Sequence, residues 1–287
     1  MSRSDADRAQ AARDLLRDVK SRLLDNSHLD ARWLVGLALG RDEAVFGHET
    51  IQMTAPRRAL LDQLIDRRNR GCPISRMRGR REFCSLYFYL NEHTLDPRPD
   101  SECLIEQACA YARPLQAEGR RLNCLDLGTG TGCLLLSLLH HLPEATGLGV
   151  DLAPLAVAQA RANAAYLGLN GRARFICSDW LDAVQGRFDL ILANPPYIGC
   201  DDRNLARDVA DYDPALALFA GPDGLSAYAE LLPQIPGVLA ADGRLFLEVG
   251  TGQAQAVTQL AEAAGLRLCA VAADLAGRDR CLILRKK

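Results

Sequence analysis

Leu122-Asn123-Cys124-Leu125-Asp126-Leu127-Gly128-Thr129-Gly130-Thr131-Gly132 leads directly into Cys133-Leu134-Leu135-Leu136-Ser137-Leu138-Leu139. A short apolar run, a glycine-rich turn and a longer apolar run read as strand, loop and helix, the opening unit of an α/β sheet. Glycines at 128, 130 and 132 let the backbone turn tightly and let a ligand approach without Cβ atoms in the way. The spacing is not that of a dinucleotide site. A pyrophosphate fingerprint places its third glycine three residues after the second, here the gap is two, and no Lys-Ser/Thr pair closes the loop as in a phosphate loop. The loop suits a nucleoside cofactor that carries no phosphate.

Working outward, a second strand, Leu148-Gly149-Val150-Asp151, ends in an acid about 25 residues after Asp126, the separation at which a carboxylate can bind the two hydroxyls of a ribose. A third, Ala173-Arg174-Phe175-Ile176-Cys177, runs into Ser178-Asp179-Trp180, a carboxylate and a flat ring suited to an adenine. A fourth, Phe188-Asp189-Leu190-Ile191-Leu192-Ala193, is stopped by Asn194-Pro195-Pro196-Tyr197, because prolines can neither continue a ladder nor enter a helix interior. Asn194 is thereby held just past a strand end, the edge where open α/β sheets bind ligands. Singly, the tetrapeptide also reads as a Pro-rich turn and Trp180 as a core aromatic; the order of four strand-end features carries the argument. Gly243 to Gly250, a helix from Gln253 to Ala264, Leu266 to Ala272 and Arg280 to Leu284 complete seven strands. Alternation with helices implies right-handed parallel crossovers, and the short Asp274 to Asp279 connection allows only an antiparallel final pair. The expectation is a seven-stranded, Rossmann-like α/β domain of an S-adenosylmethionine-dependent methyltransferase that acts on a planar nitrogen.

Upstream the periodicity is helical. Residues 8 to 24 put Leu15, Leu16, Val19 and Leu23 on one face, and Ser27 with Asp30 forms a capping-box-like start to a helix ending at Gly40. A third helix, Pro56 to about Asn69, carries Leu60, Leu61, Leu64 and Ile65 and is stopped by Gly71-Cys72-Pro73. Phe83 to Leu90 is strand-like and Asn91 to Pro99 turn-rich, which suggests a short hairpin. The domain reading is a helical substrate-recognition domain over 1–72, a β-hairpin linker over 73–99 and the methyltransferase domain over 100–287.

A 287-residue chain with 48% hydrophobic residues is long and apolar enough for about two packed domains. Its net charge of −2 argues against a surface built to hold a nucleic-acid backbone, so direct nucleic-acid binding is not expected. Nine arginines nevertheless fall between Arg57 and Arg81, read as a solvated helix face plus a loop, with a docking patch for an acidic partner or RNA as the alternative. The ten cysteines contain no Cys-x-x-Cys pair and lie mostly in apolar runs, so burial as small hydrophobes is expected. The five histidines show no ligand spacing, and no metal is expected. No run approaches the roughly 18 apolar residues of a membrane span, and the first 20 residues do not resemble a signal or transit peptide, so a cytoplasmic location is expected.

From Cys72 onward the residues resemble the bacterial protein-(glutamine-N5) methyltransferases that modify peptide-chain release factors. The matches are Gly79-Arg80-Arg81-Glu82-Phe83, Pro97-Arg98-Pro99-Asp100-Ser101-Glu102, the glycine loop, Asn194-Pro195-Pro196-Tyr197, Asp213-Pro214-Ala215-Leu216-Ala217-Leu218, Asp223-Gly224-Leu225 and Asp274-Leu275-Ala276-Gly277-Arg278-Asp279-Arg280. Asp30-Ala31-Arg32-Trp33-Leu34 and Arg67-Arg68-Asn69-Arg70-Gly71 extend the likeness over nearly the whole chain. The resemblance implies that Gly128, Thr129, Gly130, Thr131, Gly132, Asp151 and Trp180 contact S-adenosylmethionine, and that Asn194, Pro195, Pro196 and Tyr197 grip a glutamine side chain. It implies a release factor as protein partner, and a monomer is expected. Two positions depart from the family pattern: Asp96 stands where Ile is usual and Arg76 where Tyr is usual. Both read as neutral surface changes, although a carboxylate at 96 must stay wet or pair with an arginine.

The nucleophile suggests how such a site works. An amide nitrogen is a poor nucleophile because its lone pair is delocalised, so it must be held where it can pyramidalise toward the methyl donor. The Asn194 side-chain oxygen and the Pro195 carbonyl are the expected acceptors for the two amide N–H groups, with Tyr197 as a wall beside the amide plane. Adenine-N6 DNA methyltransferases share this logic but usually carry a basic target-recognition region, and a sister glutamine methyltransferase acts on a large-subunit ribosomal protein.

Overall fold

A computed structural model describes residues 9–201 and 207–287. The chain divides into two compact units, the first running to Gly79 and taking in Arg207–Tyr212, the second comprising the rest from Arg80.

In the first unit, β1 (Ala9–Ala11) pairs antiparallel with β2 (Thr50–Gln52), and α1 (Ala12–Arg22), α2 (His28–Ala38), α3 (Ala55–Asn69) and α4 (Ile74–Arg78) surround one apolar cluster. Leu15, Leu16, Val19 and Leu23 are all buried, as their spacing predicts, but α1 begins only at Ala12 because residues 9–11 are taken up by strand pairing. Residue 8, the predicted start, lies outside the described residues. The Ser27 hydroxyl accepts from the Asp30 N–H at 3.1 Å and caps α2. On α3, Leu61, Leu64 and Ile65 are buried whereas Leu60 is exposed, since it falls off the face that the other three share. Several of the clustered arginines are held within their own unit: Arg68 pairs with Asp30 and Asp25, and Arg78 pairs with Asp42 and lies over the Trp33 ring.

Residues 73–99, expected as one linker, contain different elements. Helix α4 ends at Gly79, in the left-handed region at φ 67°, and belongs to the first unit. The hairpin of β3 (Arg80–Phe83) and β4 (Leu86–Tyr89) belongs to the second, because Phe83 and Phe88 are buried in its core beside Leu104 and Ala108. Asn163 fastens the hairpin: its side chain accepts from the Tyr89 N–H at 3.0 Å and donates to the Tyr89 carbonyl at 3.1 Å.

The remaining elements of the second unit are α5 (Glu102–Ala117), β5 (Asn123–Leu127), α6 (Cys133–His141), β6 (Thr146–Asp151), α7 (Pro154–Tyr166), β7 (Ala173–Cys177) and β8 (Phe188–Ala193). After α8 (Arg207–Tyr212), which clusters with the first unit, come α9 (Ala215–Leu218), α10 (Ser226–Leu231), α11 (Ile235–Val238), β9 (Leu239–Glu248), α12 (Ala254–Ala263), β10 (Leu266–Ala273) and β11 (Asp279–Lys286). The seven-stranded sheet has the order β10-β11-β9-β8-β5-β6-β7; β5 to β9 pair in parallel and β11 runs antiparallel to both neighbours. Alternate residues of β8 feed opposite cores, Leu190 and Leu192 one face and Ile191 and Ala193 the other. That double burial explains why Leu190 to Ala193 reads as a continuous apolar run rather than an alternating one.

Register aligns the strand ends. Leu127 pairs with both Val150 and Ala193, Asp151 with Cys177, and Ala193 with Leu247. Gly128, Asp151, Ser178, Asn194 and Glu248 therefore emerge along one carboxyl edge.

Candidate active site

A cavity of about 480 Å³ opens at that edge. Gly128, Thr129, Gly130, Thr131, Asp151, Trp180, Asn194 and Pro196 all line it, so most of the predicted positions converge. Gly132, Pro195 and Tyr197 are not among its lining residues. The reasons are steric and polar. A Cβ on Gly132 would lie 3.1–3.4 Å from Leu136, Ala160 and Phe175, so this glycine serves close packing of the loop on the helices beneath it. Pro195 is buried. The Tyr197 hydroxyl donates to Glu248 Oε1 at 3.2 Å, which commits that ring to the sheet edge rather than to the cavity wall.

The glycine loop is fixed from several sides. Gly128 has φ 72°, a left-handed conformation costly for a residue with a Cβ, and a Cβ there would lie 4.0 Å from the Trp180 ring. The Thr129 N–H donates to the Val150 carbonyl at 2.8 Å, and its hydroxyl donates to Asp126 Oδ2 at 2.6 Å. Burial pushes the Asp126 carboxyl up to about 7, with the Thr129 bond opposing the rise. Asn163 Nδ2 also donates to the Thr131 carbonyl at 2.9 Å, so one buried amide ties the hairpin and the loop together. Sequence reading missed Asn163, and nothing in the local pattern of α7 marks it.

Asp151 faces the loop at the end of β6. Its Oδ2 accepts from the Gly130 N–H at 2.8 Å and its Oδ1 from the Ala153 N–H at 2.9 Å. Burial raises its proton affinity and the two backbone donors oppose that. Each oxygen keeps acceptor capacity, as a ribose diol requires. Trp180 follows at φ 37°, a strained conformation for a bulky residue and one that places its indole against the cavity. The titratable cavity-lining side chains include three acids, Asp151, Asp179 and Glu230, while Arg98 is tied to Asp213. This donor set, with no lysine among the lining residues, fits a phosphate-free nucleoside bearing a positive charge. Gly128 to Thr131, Asp151 and Trp180 thus share one wall of this cavity.

On the other side, Asn194 Nδ2 donates to Ser101 Oγ at 3.3 Å, which leaves Oδ1 as the acceptor of that side chain. Ion pairs join three further motifs of the sequence, of which Arg98 lines the cavity. Arg98 pairs with Asp213, whose Oδ1 also accepts from the Asp96 N–H at 3.1 Å. Asp100 meets Arg278 at 3.1 Å and Arg280 at 3.4 Å, and Asp274 meets the same two arginines at 2.9 and 3.3 Å. Asp96 is no surface substitution: it is 2% exposed, and Arg81 Nε stands 3.9 Å from its carboxylate. The arginine requirement for a carboxylate there is met, and the expectation of surface drift is not. The cysteines divide similarly: 72, 103, 109, 124 and 281 are buried, 84 and 133 are half-buried, and 177, 200 and 269 are exposed, at the end of β7, in a loop and at the register irregularity of the edge strand β10. Among the described residues no group of His, Cys, Asp and Glu is arranged to hold a metal, and no helix is long and apolar enough to cross a membrane.

With this geometry in place, comparison with known proteins is informative. The family model described as "Methyltransferase small domain" matches residues 109–209. A release factor glutamine methyltransferase of Rhodospirillum rubrum is 45% identical over 260 residues, 90% of this chain and 78% of that protein. Another, of Bradyrhizobium diazoefficiens, is 41% identical over 279 residues, 96% of this chain and 94% of that protein. Among solved structures, a ribosomal protein L11 methylase of Lactobacillus delbrueckii subsp. bulgaricus aligns with TM-score 0.48 at 22% identity, covering 67% of this chain and 83% of that one. Identity at this level across both units, together with a phosphate-free nucleoside cradle and a strand-end Asn-Pro-Pro-Tyr, places the chain in the release factor glutamine methyltransferase family.

Proposed function

We propose that this protein transfers a methyl group to the side-chain amide nitrogen of the glutamine in the Gly-Gly-Gln motif of a peptide-chain release factor. The observation that carries the reading is the Asn194 side chain, whose Nδ2 is engaged by Ser101 at the cavity wall while Oδ1 is left to accept a hydrogen bond. S-adenosylmethionine, when bound, supplies an electrophilic methyl group on a sulfonium. Asn194 Oδ1 accepts one N–H of the substrate amide, and the Pro195 carbonyl, though its residue is buried beside the cavity rather than lining it, is assigned the other, fixing the nitrogen and steadying the positive charge that grows on it. No strong base is needed beforehand, because the methylated nitrogen sheds its proton readily. Asp151 and the loop Gly128 to Thr131 hold the nucleoside end, and the Trp180 ring gives a flat apolar surface for a base.

The first unit presents helices and an apolar core but none of the strand-end chemistry, and it is assigned to recognition of the folded substrate protein as a monomer in the cytoplasm. The test uses radiolabelled cofactor with purified release factor, its Gly-Gly-Gln glutamine variant and a large-subunit ribosomal protein. Label in the release factor that disappears with the glutamine supports the reading. Label only in the ribosomal protein overturns it.

A further inference from the structure

Asn163 lies on α7 and is fully buried. Its amide is used completely. Oδ1 accepts from the Tyr89 N–H at 3.0 Å and from Gln159 Nε2 at 3.5 Å, while Nδ2 donates to the Tyr89 carbonyl at 3.1 Å and to the Thr131 carbonyl at 2.9 Å. Toward the hairpin it acts as a neighbouring strand would, satisfying both backbone groups of the last residue of β4. Toward the cavity it holds one carbonyl of the glycine loop.

That carbonyl belongs to the Thr131–Gly132 peptide, whose N–H donates to the Thr129 carbonyl at 2.7 Å. Gly132 stands at φ 80°, and a glycine there lets the peptide rotate about its flanking bonds with little steric resistance. Its orientation therefore needs a hold from outside the loop, and Asn163 is the side chain that bonds the carbonyl. Without Asn163 the Thr131 carbonyl would be a buried acceptor with no donor, and the peptide would turn to reach water on the cavity side, which Thr131 lines.

We propose that Asn163 is a positioning residue that makes the β3–β4 hairpin part of the cofactor site, by holding the Thr131–Gly132 peptide in the orientation that S-adenosylmethionine binding requires. The proposal rests on the reading that Gly128 to Thr131 hold the nucleoside end. Because one amide serves both sides, the link is reciprocal: a cofactor that orders the loop also steadies Asn163 and, through it, the end of β4. The hairpin keeps anchors that do not pass through Asn163, namely Phe83 and Phe88 in the core and the Tyr89 ring, 5.1 Å from that of Tyr166. Loss of the Asn163 amide thus frees the loop before it frees the hairpin.

The experiment titrates the full chain with S-adenosylmethionine by calorimetry, for wild type, Asn163→Ala, Phe88→Leu and Asp151→Ala, alongside thermal unfolding and amide hydrogen exchange followed by NMR. Phe88→Leu loosens the hairpin's apolar anchor and keeps every hydrogen bond of Asn163, so it shows what a purely structural loss does. Asn163→Ala should raise the cofactor Kd by about 10- to 100-fold, while Phe88→Leu stays within about twofold of wild type. In wild type, saturating cofactor should slow exchange of the Tyr89 N–H by about fivefold or more. That measurement needs no variant and decides alone if Asn163→Ala does not fold. A Kd within about twofold of wild type in folded Asn163→Ala, an equal weakening in Phe88→Leu, or Tyr89 exchange unmoved by cofactor each overturns the proposal. If Asp151→Ala also binds cofactor normally, the reading of this cavity as the cofactor site falls instead.

Discussion

Replacing Asp151 with alanine removes a carboxylate that accepts from the Gly130 N–H at 2.8 Å and the Ala153 N–H at 2.9 Å and has capacity left for two hydroxyls. In the free protein the two backbone donors lose an acceptor, and in the complex the ribose loses its charged partner as well. Hydrogen bonds to charged groups are worth about 1.5–3 kcal/mol each. Water replaces part of that at a half-buried site, so the net loss of cofactor binding is set at about 1.5–3 kcal/mol, or about 10- to 150-fold in Kd. Calorimetric titration with S-adenosylmethionine measures it, and thermal unfolding without cofactor separates lost contact from a collapsed loop. Because burial raises the Asp151 proton affinity, its charge is lost sooner on acidification than that of a free aspartate. Wild-type affinity should therefore weaken as pH falls, and the alanine variant should lack that slope. A Kd within twofold of wild type in a folded variant removes Asp151 from the cofactor site.

Asn194→Ala should keep the fold and most cofactor affinity yet lose turnover by roughly 10²- to 10³-fold, and near-normal single-turnover rates would refute its role as amide acceptor. Glu248 binds its proton more tightly folded than unfolded, at about 7 against 4.5. Its burial is therefore harmless below 4.5 and costs progressively more as pH rises, reaching about 3 kcal/mol above 7. Glu248→Gln should gain stability over wild type between pH 5 and 8 in denaturant unfolding, and a pH-independent difference would contradict the assignment. Deleting residues 1–72 should sharply reduce methylation of intact release factor while barely changing the weak activity toward a Gly-Gly-Gln peptide; equal losses on both, with cofactor still bound, would show that the helical unit supports the active site instead.

The parallel sheet was readable because its strands carry short apolar runs, such as Leu190 to Ala193, that stop at the ligand edge. Gly128, Asp151 and Asn194 each stand at or just past such a stop, and Trp180 follows three residues after β7. Glu248 stands at one too: Leu245-Phe246-Leu247-Glu248 is an apolar run closed by an acid, the same signal that singled out Asp151. Ser101, Arg98 with Asp213, and Asn163 were not readable as site residues, since their partners lie 93, 115, and 74 and 32 positions away. Only tertiary packing brings such polar groups together, and no local period records it. Asp96 shows the same limit from the other side: a charge that looked like surface drift is buried, with Arg81 Nε 3.9 Å from its carboxylate. The hairpin's membership of the second unit likewise turns on where Phe83 and Phe88 are buried, which their alternation alone does not state.

The central claim is that the strand-end Asn194 holds a glutamine amide so that its nitrogen receives the methyl group. Tandem mass spectrometry of release factor digested after incubation with the enzyme and S-adenosylmethionine tests it most directly. A single methyl group on the side-chain nitrogen of the Gly-Gly-Gln glutamine, absent with Asn194→Ala, is the predicted result. A methyl group on any other residue, or an unmodified release factor under conditions where the cofactor is bound, would contradict it.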